Sequence, residues 1–356
     1  MKGILVSRRR HYLGRATTFL VATTLIVGMT GCAGCGQPSS QNLEIWTWYD
    51  LDAVRDNLAG HHTLMNDLDS TTPGYEELAS PTANEGKGWR PIGWGLFAGP
   101  WLSGDFFRGS FDGQGYEIRD LLSNGSVSGG GGLFGCVGKG GIIKNIGVIN
   151  ATTTLTEDVD VFVALSQRTV AFAAPIFSSG ILVGFNGGSV SDSYTSGTVS
   201  GDYNVGGLVG TNTGTVSNCR SAANVTGSAW GVGGLIGSNG LLKYGGSVKY
   251  CYSTGSVTGY EHIGGLVGIN EHSGPEWSFR GTVGNSFWDV ETSGQATSAG
   301  GTGKTTAEMK DITTFTDTDW DIIAVADSDT LDTAYTWNIV DGETYPFLSW
   351  EVQIEA

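Results

Sequence analysis

The side chains in this chain that could take part in chemistry are few and widely scattered. Cys32 and Cys35 have the CxxC spacing of a redox or metal pair, but no second pair completes a four-ligand set. His61-His62, Glu261-His262 and Glu271-His272 place donors side by side, the wrong spacing for one helical face, and no HExxH sequence occurs. They read as solvated polar residues. Gly303-Lys304-Thr305 ends like a phosphate-binding loop, yet the position that needs a first glycine is Ser298 and no apolar strand precedes it. Asp317, Asp319 and Asp321 alternate like the start of a calcium loop. The sixth position is Ile322 and the twelfth Ser328, which excludes an EF-hand. These three aspartates remain candidates for an irregular Ca²⁺ site, and no other cofactor is expected. No Gly-x-Ser-x-Gly elbow and no Cys–His pairing is evident, so no catalytic residue is assigned.

What would position any site is a repeat. Four copies align on Leu182-Val183, Leu208-Val209, Leu235-Ile236 and Leu266-Val267. Each pair leads to an asparagine (Asn186, Asn212, Asn239, Asn270), then a valine (Val190, Val216, Val248, Val283). A small side chain follows (Ser193, Cys219, Cys251, Ser286), and then a large one (Tyr194, Arg220, Tyr252, Phe287). The leucines fall 26, 27 and 31 residues apart, the longer intervals holding insertions around Tyr244 and Glu271–Phe279. "GGLFGCVGKGGIIKNIGV" (Gly131 to Val148) is a degenerate copy without the asparagine.

A period of this length means stacked supersecondary units. The runs are too short and too Gly-punctuated for helices; each reads as a short strand and a corner. The expected fold is all-β: a parallel β-helix, or β-solenoid, of right-handed sense, with N- and C-terminal caps. Three strands fit one repeat. Leu and Val would stack as core ladders, and the glycines would take positive φ at the corners. The asparagines would share those corners, tolerating the left-handed region and hydrogen-bonding their stacked copies. Cys219 and Cys251 would stack within disulfide range, but with parallel side chains that suit packing better than bridging.

The pattern "GGLVGxNxGxVxNCYSTGxVTG" resembles the GLUG motif of bacterial and archaeal surface proteins. The resemblance runs from Gly131 to Gly301 and into "SFWDVETSGQATSAGGTGKTTAEMK" (Ser286 to Lys310). It implies an extracellular, Gly-rich β-solenoid of the sort found in large adhesin-like or peptidase-associated proteins. It implies no particular chemistry.

The N-terminus carries an address. Residues 1–31 combine Lys2, Arg8, Arg9, Arg10 and Arg15 with the apolar "TTFLVATTLIVGM", a stretch shorter than a bilayer span. "MTGC" resembles a lipobox and makes Cys32 the expected lipidation site; "RRHYL" resembles a twin-arginine signal. Sec and Tat export both stay open, as does a single uncleaved anchor. Residues 32–42 read as a tether. The whole chain of 356 residues has net charge −16; without residues 1–31 it has −21, which disfavours nucleic acid and anionic membrane surfaces. It suits a solvated extracellular protein.

Residues 43–128 read as opening coils that cap the stack, residues 129–301 as the repeat array and residues 302–356 as a C-terminal cap. "LDAVRDNLAG" (Leu51 to Gly60) begins with a helical period, "HHTLMNDLD" (His61 to Asp69) reads as a strand, and "FRGSFDGQGYEIRDL" (Phe107 to Leu121) as strand, Asp-Gly turn, strand. Residues 151–179 interrupt the array as an irregular coil or hairpin. "TTAEMKD" (Thr305 to Asp311) reads as a capping box, and "WNIVDGETYPFLSW" (Trp337 to Trp350) as a final strand–turn–strand in an aromatic cap. The charged residues of the repeats (Asp192, Asp202, Arg220, Lys243, Lys249, Glu261) share no ladder position, as a lyase or hydrolase face would require. The expectation is a non-catalytic cell-surface lipoprotein, anchored to membrane lipid through Cys32, presenting a face to a glycan or protein. Trp230, Tyr260 and Trp277, expected on the loops between coils, are the candidate ligand contacts. A polysaccharide-acting β-helix enzyme and a purely structural envelope component are the alternatives.

Overall fold

The computed structural model describes residues 42–98, 101–126, 130–156, 178–273 and 278–351. The expected leader, Cys32, the tether and Trp277 lie outside them, as does most of the 151–179 interruption.

Parallel pairing between successive repeats dominates the fold. One ladder runs Leu43, His62, Phe111, Ile143, Val190, Val216, Val248, Val283, every step a parallel pairing. At the usual strand spacing its seven steps span roughly 34 Å. Its residues from His62 to Val248 are buried, so each valine rung contributes about 1.5–3 kcal/mol of apolar burial. A second ladder joins Phe134, Val183, Val209, Ile236 and Val267 in a five-stranded parallel sheet, all fully buried. A third carries Glu117, Gly147, Tyr194, Arg220, Tyr252, Phe287 and Thr302 in register. The expected insertions are two small antiparallel hairpins, Gly240–Leu241 with Tyr244–Gly245 and Glu271–Ser273 with Ser278–Arg280.

The asparagine column forms as expected in one respect. Asn186 Nδ2 donates to Asn212 Oδ1, Asn212 Nδ2 to Asn239 Oδ1 and Asn239 Nδ2 to Asn270 Oδ1, each at 2.8 Å. Each of these donors also reaches a backbone carbonyl one repeat on: Thr215, Ser247 and Thr282. In the degenerate copy Val137 pairs with Asn186 and takes the asparagine's place.

The column is not at the left-handed corners, which corrects that expectation. Asp192, Asn218, Tyr250 and Asn285, directly before the small residue, have φ near +50°, as does Asn145 at the matching position of the degenerate copy; Asn150, Asn204, Leu242 and His262 are the other left-handed non-glycine residues described in the array. Asn and Asp favour this region because a short polar side chain can bond locally. Here Asn145 Nδ2 donates to Asp112 Oδ1 and Asn218 Nδ2 to Asp192 Oδ1, both at 3.0 Å, making a second amide column. The paired glycines serve close approach rather than positive φ. A Cβ on Gly206 would lie 2.1 Å from the Val209 carbonyl oxygen and 2.6 Å from the Gly237 nitrogen of the next repeat.

The small column is more than filler. The side chains of Ser193, Cys219, Cys251 and Ser286 each donate to the carbonyl two residues back (2.6, 3.1, 3.2 and 2.8 Å), closing the turn over the left-handed residue. Both cysteines are free and fully buried. Burial, with Cys251 alongside, pushes the Cys219 thiol well above its ordinary value.

At the N-terminal end, helix Trp48–Ala53 starts with a capping box between Thr47 and Asp50 and continues as a 3₁₀ turn, Val54–Asn57. The Asp-Gly turn after Phe111 is not a hairpin. Ser110–Asp112 pairs in the first ladder and Glu117–Arg119 in the third, so this turn is a corner between two faces. The C-terminal residues divide the expected cap in two. Residues 295–304 close the end of the stack: Ala299 N donates to Val267 O, Ser298 Oγ accepts from Val267 N, and Thr302–Lys304 adds one more parallel strand. Residues 305–351 instead lie along the side, over the third ladder. The exposed large column Tyr194–Phe287 would otherwise leave an apolar stripe in water.

Candidate functional site

Trp230 stands in strand Asn224–Gly233, in register with Tyr203 and Glu261, rather than in a loop. It is half-buried, with His262 edge-on at 5.3 Å and His272 at 6.1 Å. Tyr260 fits the expected contact better: it is 76% exposed at the bend before Glu261. The two histidines of the opening strand belong to the framework. His62 is buried in the first ladder with Nε2 2.9 Å from the Asn57 carbonyl, and His61 Nδ1 lies 2.7 Å from Ser110 Oγ. Burial lowers the His62 pKa.

Asp321 Oδ2 accepts from the amide and hydroxyl of Thr336 (2.9 and 2.8 Å), and Asp319 is a left-handed corner. Among the described residues no three His, Cys, Asp or Glu side chains are grouped to hold a metal ion.

The most charged interior lies under residues 305–351. Glu351 forms a bidentate pair with Arg220, whose guanidinium lies 4.5 Å over the Tyr194 ring. Tyr194 donates its hydroxyl to Glu117, which also pairs with Arg119. This contact skips a rung: a Cβ on Gly147 would sit 2.6 Å from Tyr194 Cζ. Burial raises the Glu117 pKa against the hydrogen bond from Tyr194 and the charge of Arg119. Every member of this network is engaged with another, as a structural lock requires.

One feature escaped sequence reasoning. A cleft of about 800 Å³ opens beside the N-terminal helix, lined by Arg55, Lys87, Arg90, Trp94, Asp105 and Asn124 among others. Trp94 is 45% exposed, its indole held by Nε1 donating to Asp105 Oδ2 at 3.1 Å. Arg55 is tied to Asp52 at 2.6 Å, to the carbonyls of Arg90 and Pro91, and lies 4.5 Å over Trp89. The lining comes from four separated stretches, so no period or motif announces it. The one available signal was "NEGKG", where Asn84 (φ 49°), Glu85 (φ 60°) and Gly86 (φ 85°) are consecutively left-handed.

A family profile for the GLUG motif matches residues 201–226 and 228–258. Those residues carry the GLUG motif. A protein of Evansella cellulosilytica, provisionally named a Gly-rich membrane protein, is 44% identical over 92 residues, 25% of this chain and 10% of that one. Halomucin of Haloquadratum walsbyi is 31% identical over 181 residues, 50% of this chain and 2% of Halomucin. The matched part of this chain thus spans a tenth or less of either relative's length. A crystal structure from Bacteroides ovatus, provisionally named an immunoglobulin A1 protease, matches with TM-score 0.51 and 18% identity over 88% of this chain and 94% of that one. At that identity the likeness is one of fold alone: strand-rich, with parallel sheets.

Proposed function

We propose that this GLUG protein is an exported, non-catalytic cell-surface protein, held to membrane lipid through Cys32, whose repeats wind as a right-handed parallel β-helix and present a binding face to an extracellular glycan or protein. The observation that carries the reading is the internal use of the repeated polar side chains. Asn186, Asn212 and Asn239 bond one another, and Ser193, Cys219, Cys251 and Ser286 each close their own turn. A reaction would need repeated or clustered groups left free to act. Pairing strictly from one repeat to the next supports the helical winding, and the names of the two relatives support an envelope setting.

The test is antibody labelling of intact cells producing the full chain, alongside fatty-acid labelling. The reading expects surface signal on unbroken cells and loss of the fatty-acid label on Cys32→Ala. Signal only after lysis contradicts surface display, and an unchanged label on Cys32→Ala contradicts the anchor.

A further inference from the structure

The cleft beside the N-terminal helix has the makings of a site that the repeats lack. Its volume, about 800 Å³, is that of a small-ligand pocket. Trp94 offers a ring face whose direction is fixed by two bonds to one residue, since its backbone amide also donates to the Asp105 carbonyl at 2.9 Å. Lys87 and Arg90 are exposed at the rim, and neither side chain has a hydrogen-bond or ion-pair partner among the described residues. In a chain of net charge −16, two unpaired cations beside an open indole mark an anion-attracting spot. Of the other charged lining residues, Arg55 and Asp105 are already engaged, to Asp52 and to Trp94, and Asp56 adds one carboxylate, so the lining holds three cations against two carboxylates.

Backbone strain points the same way. Asn84, Glu85 and Gly86 are consecutively left-handed, an arrangement that costs free energy at the two non-glycine positions. Asn84 Nδ2 donating to Gly88 O at 2.6 Å and Asn124 N to Lys87 O at 2.8 Å hold the loop in place. The result is a fixed loop that carries Lys87 on the cleft wall.

We propose that this cleft binds an acidic oligosaccharide. A pyranose lays its C–H face on Trp94, and Lys87 and Arg90 take the sugar carboxylate. Polar walls with one open aromatic suit a pyranose, which has an apolar face and a hydroxyl edge, better than a wholly apolar ligand. The assignment deepens the binding role proposed above and rests on it for the ligand being extracellular.

The experiment is calorimetric titration of the purified full chain with a uronic-acid hexasaccharide and with its carboxyl-reduced, neutral counterpart. The acidic oligomer should bind more tightly and lose affinity with added salt. Trp94→Ala should weaken both by about tenfold. Trp94→Phe, which keeps a ring face, should recover most of that loss. Lys87→Gln with Arg90→Gln should erase the preference for the acid while leaving neutral binding as it was. Equal binding of the two oligomers, no binding of either, or wild-type affinity in Trp94→Ala overturns the proposal. If titration fails while intact cells still label, the ligand is wrong and surface display stands.

Discussion

Asn212 Nδ2 lies 2.8 Å from Asn239 Oδ1, and Asn212 Oδ1 in turn accepts from Asn186 Nδ2 and from the amide of Gly214. One buried side chain therefore ties three repeats. Asn212→Ala should leave one buried N–H of the Asn186 amide without an acceptor, at about 1–3 kcal/mol, and removes the acceptor of the half-buried Gly214 N–H. Asn270→Ala, at the half-buried end of the column, removes only the acceptor for Asn239 and should cost less. Denaturant titration of the two variants checks the order; an equal or reversed order contradicts the column's role.

Gly206→Ala places a methyl 2.1 Å from a carbonyl oxygen and 2.6 Å from the next repeat's backbone. Backbone atoms on both sides leave no room to yield, so soluble folded protein should not be recovered. Gly140→Ala is the matched comparison: φ is +92° but nothing lies within 4 Å of the new methyl. Its cost should be the left-handed penalty alone, about 1–2 kcal/mol by melting or denaturation.

Much of this framework was legible in the sequence and some was misplaced. The Leu/Val columns and the Asn-to-Asn bonds follow from the repeat, because stacking turns equal spacing into contact. The left-handed corners were assigned to the wrong asparagines. Asn145, Asp192, Asn218 and Asn285 mark one left-handed column, but Tyr250 breaks it, so its type does not repeat cleanly. Trp230 was expected on a loop between coils; it pairs in a strand instead. The side-packed C-terminal segment and the Trp94 cleft depend on contacts between distant stretches. Arg220 and Glu351 are 131 residues apart, and no local pattern encodes such a meeting.

That Arg220–Glu351 pair should hold residues 305–351 against the repeats. Arg220→Ala leaves the nearly inaccessible Glu351 carboxylate uncompensated, which costs about 3–5 kcal/mol. Limited proteolysis should then cut within residues 305–351 before the repeats are touched. A cleavage pattern identical to wild type would show that the aromatic packing of Trp320, Trp337 and Phe287 suffices without the pair.

Acid should loosen the same junction. Burial alone would push the Asp289 carboxyl upward, but bonds from Thr306 Oγ1, Tyr345 OH and the amides of Thr292 and Glu291 outweigh it and hold the pKa below the ordinary value. A depressed folded-state pKa gives stability that is complete above the unfolded value, about 3.9 for Asp, and lost as pH falls through the folded one. The stability difference between wild type and Asp289→Asn should therefore be constant near pH 6 and shrink below about pH 4. A difference that grows on acidification would reverse the sign and refute the assignment. The Tyr345 phenol, half-buried and donating to Asp289, is pushed up to about 12, so it stays protonated throughout this range.

The proposed division of labour has the repeats build the framework and the cleft at Trp94 carry recognition. Measuring uronic-acid hexasaccharide affinity for Asn212→Ala and Trp94→Ala, each at a temperature where its melting curve shows it folded, tests this directly. Wild-type affinity with a lowered melting midpoint is expected for Asn212→Ala, and affinity weakened about tenfold with an unchanged midpoint for Trp94→Ala. Affinity lost in Asn212→Ala and kept in Trp94→Ala would contradict it.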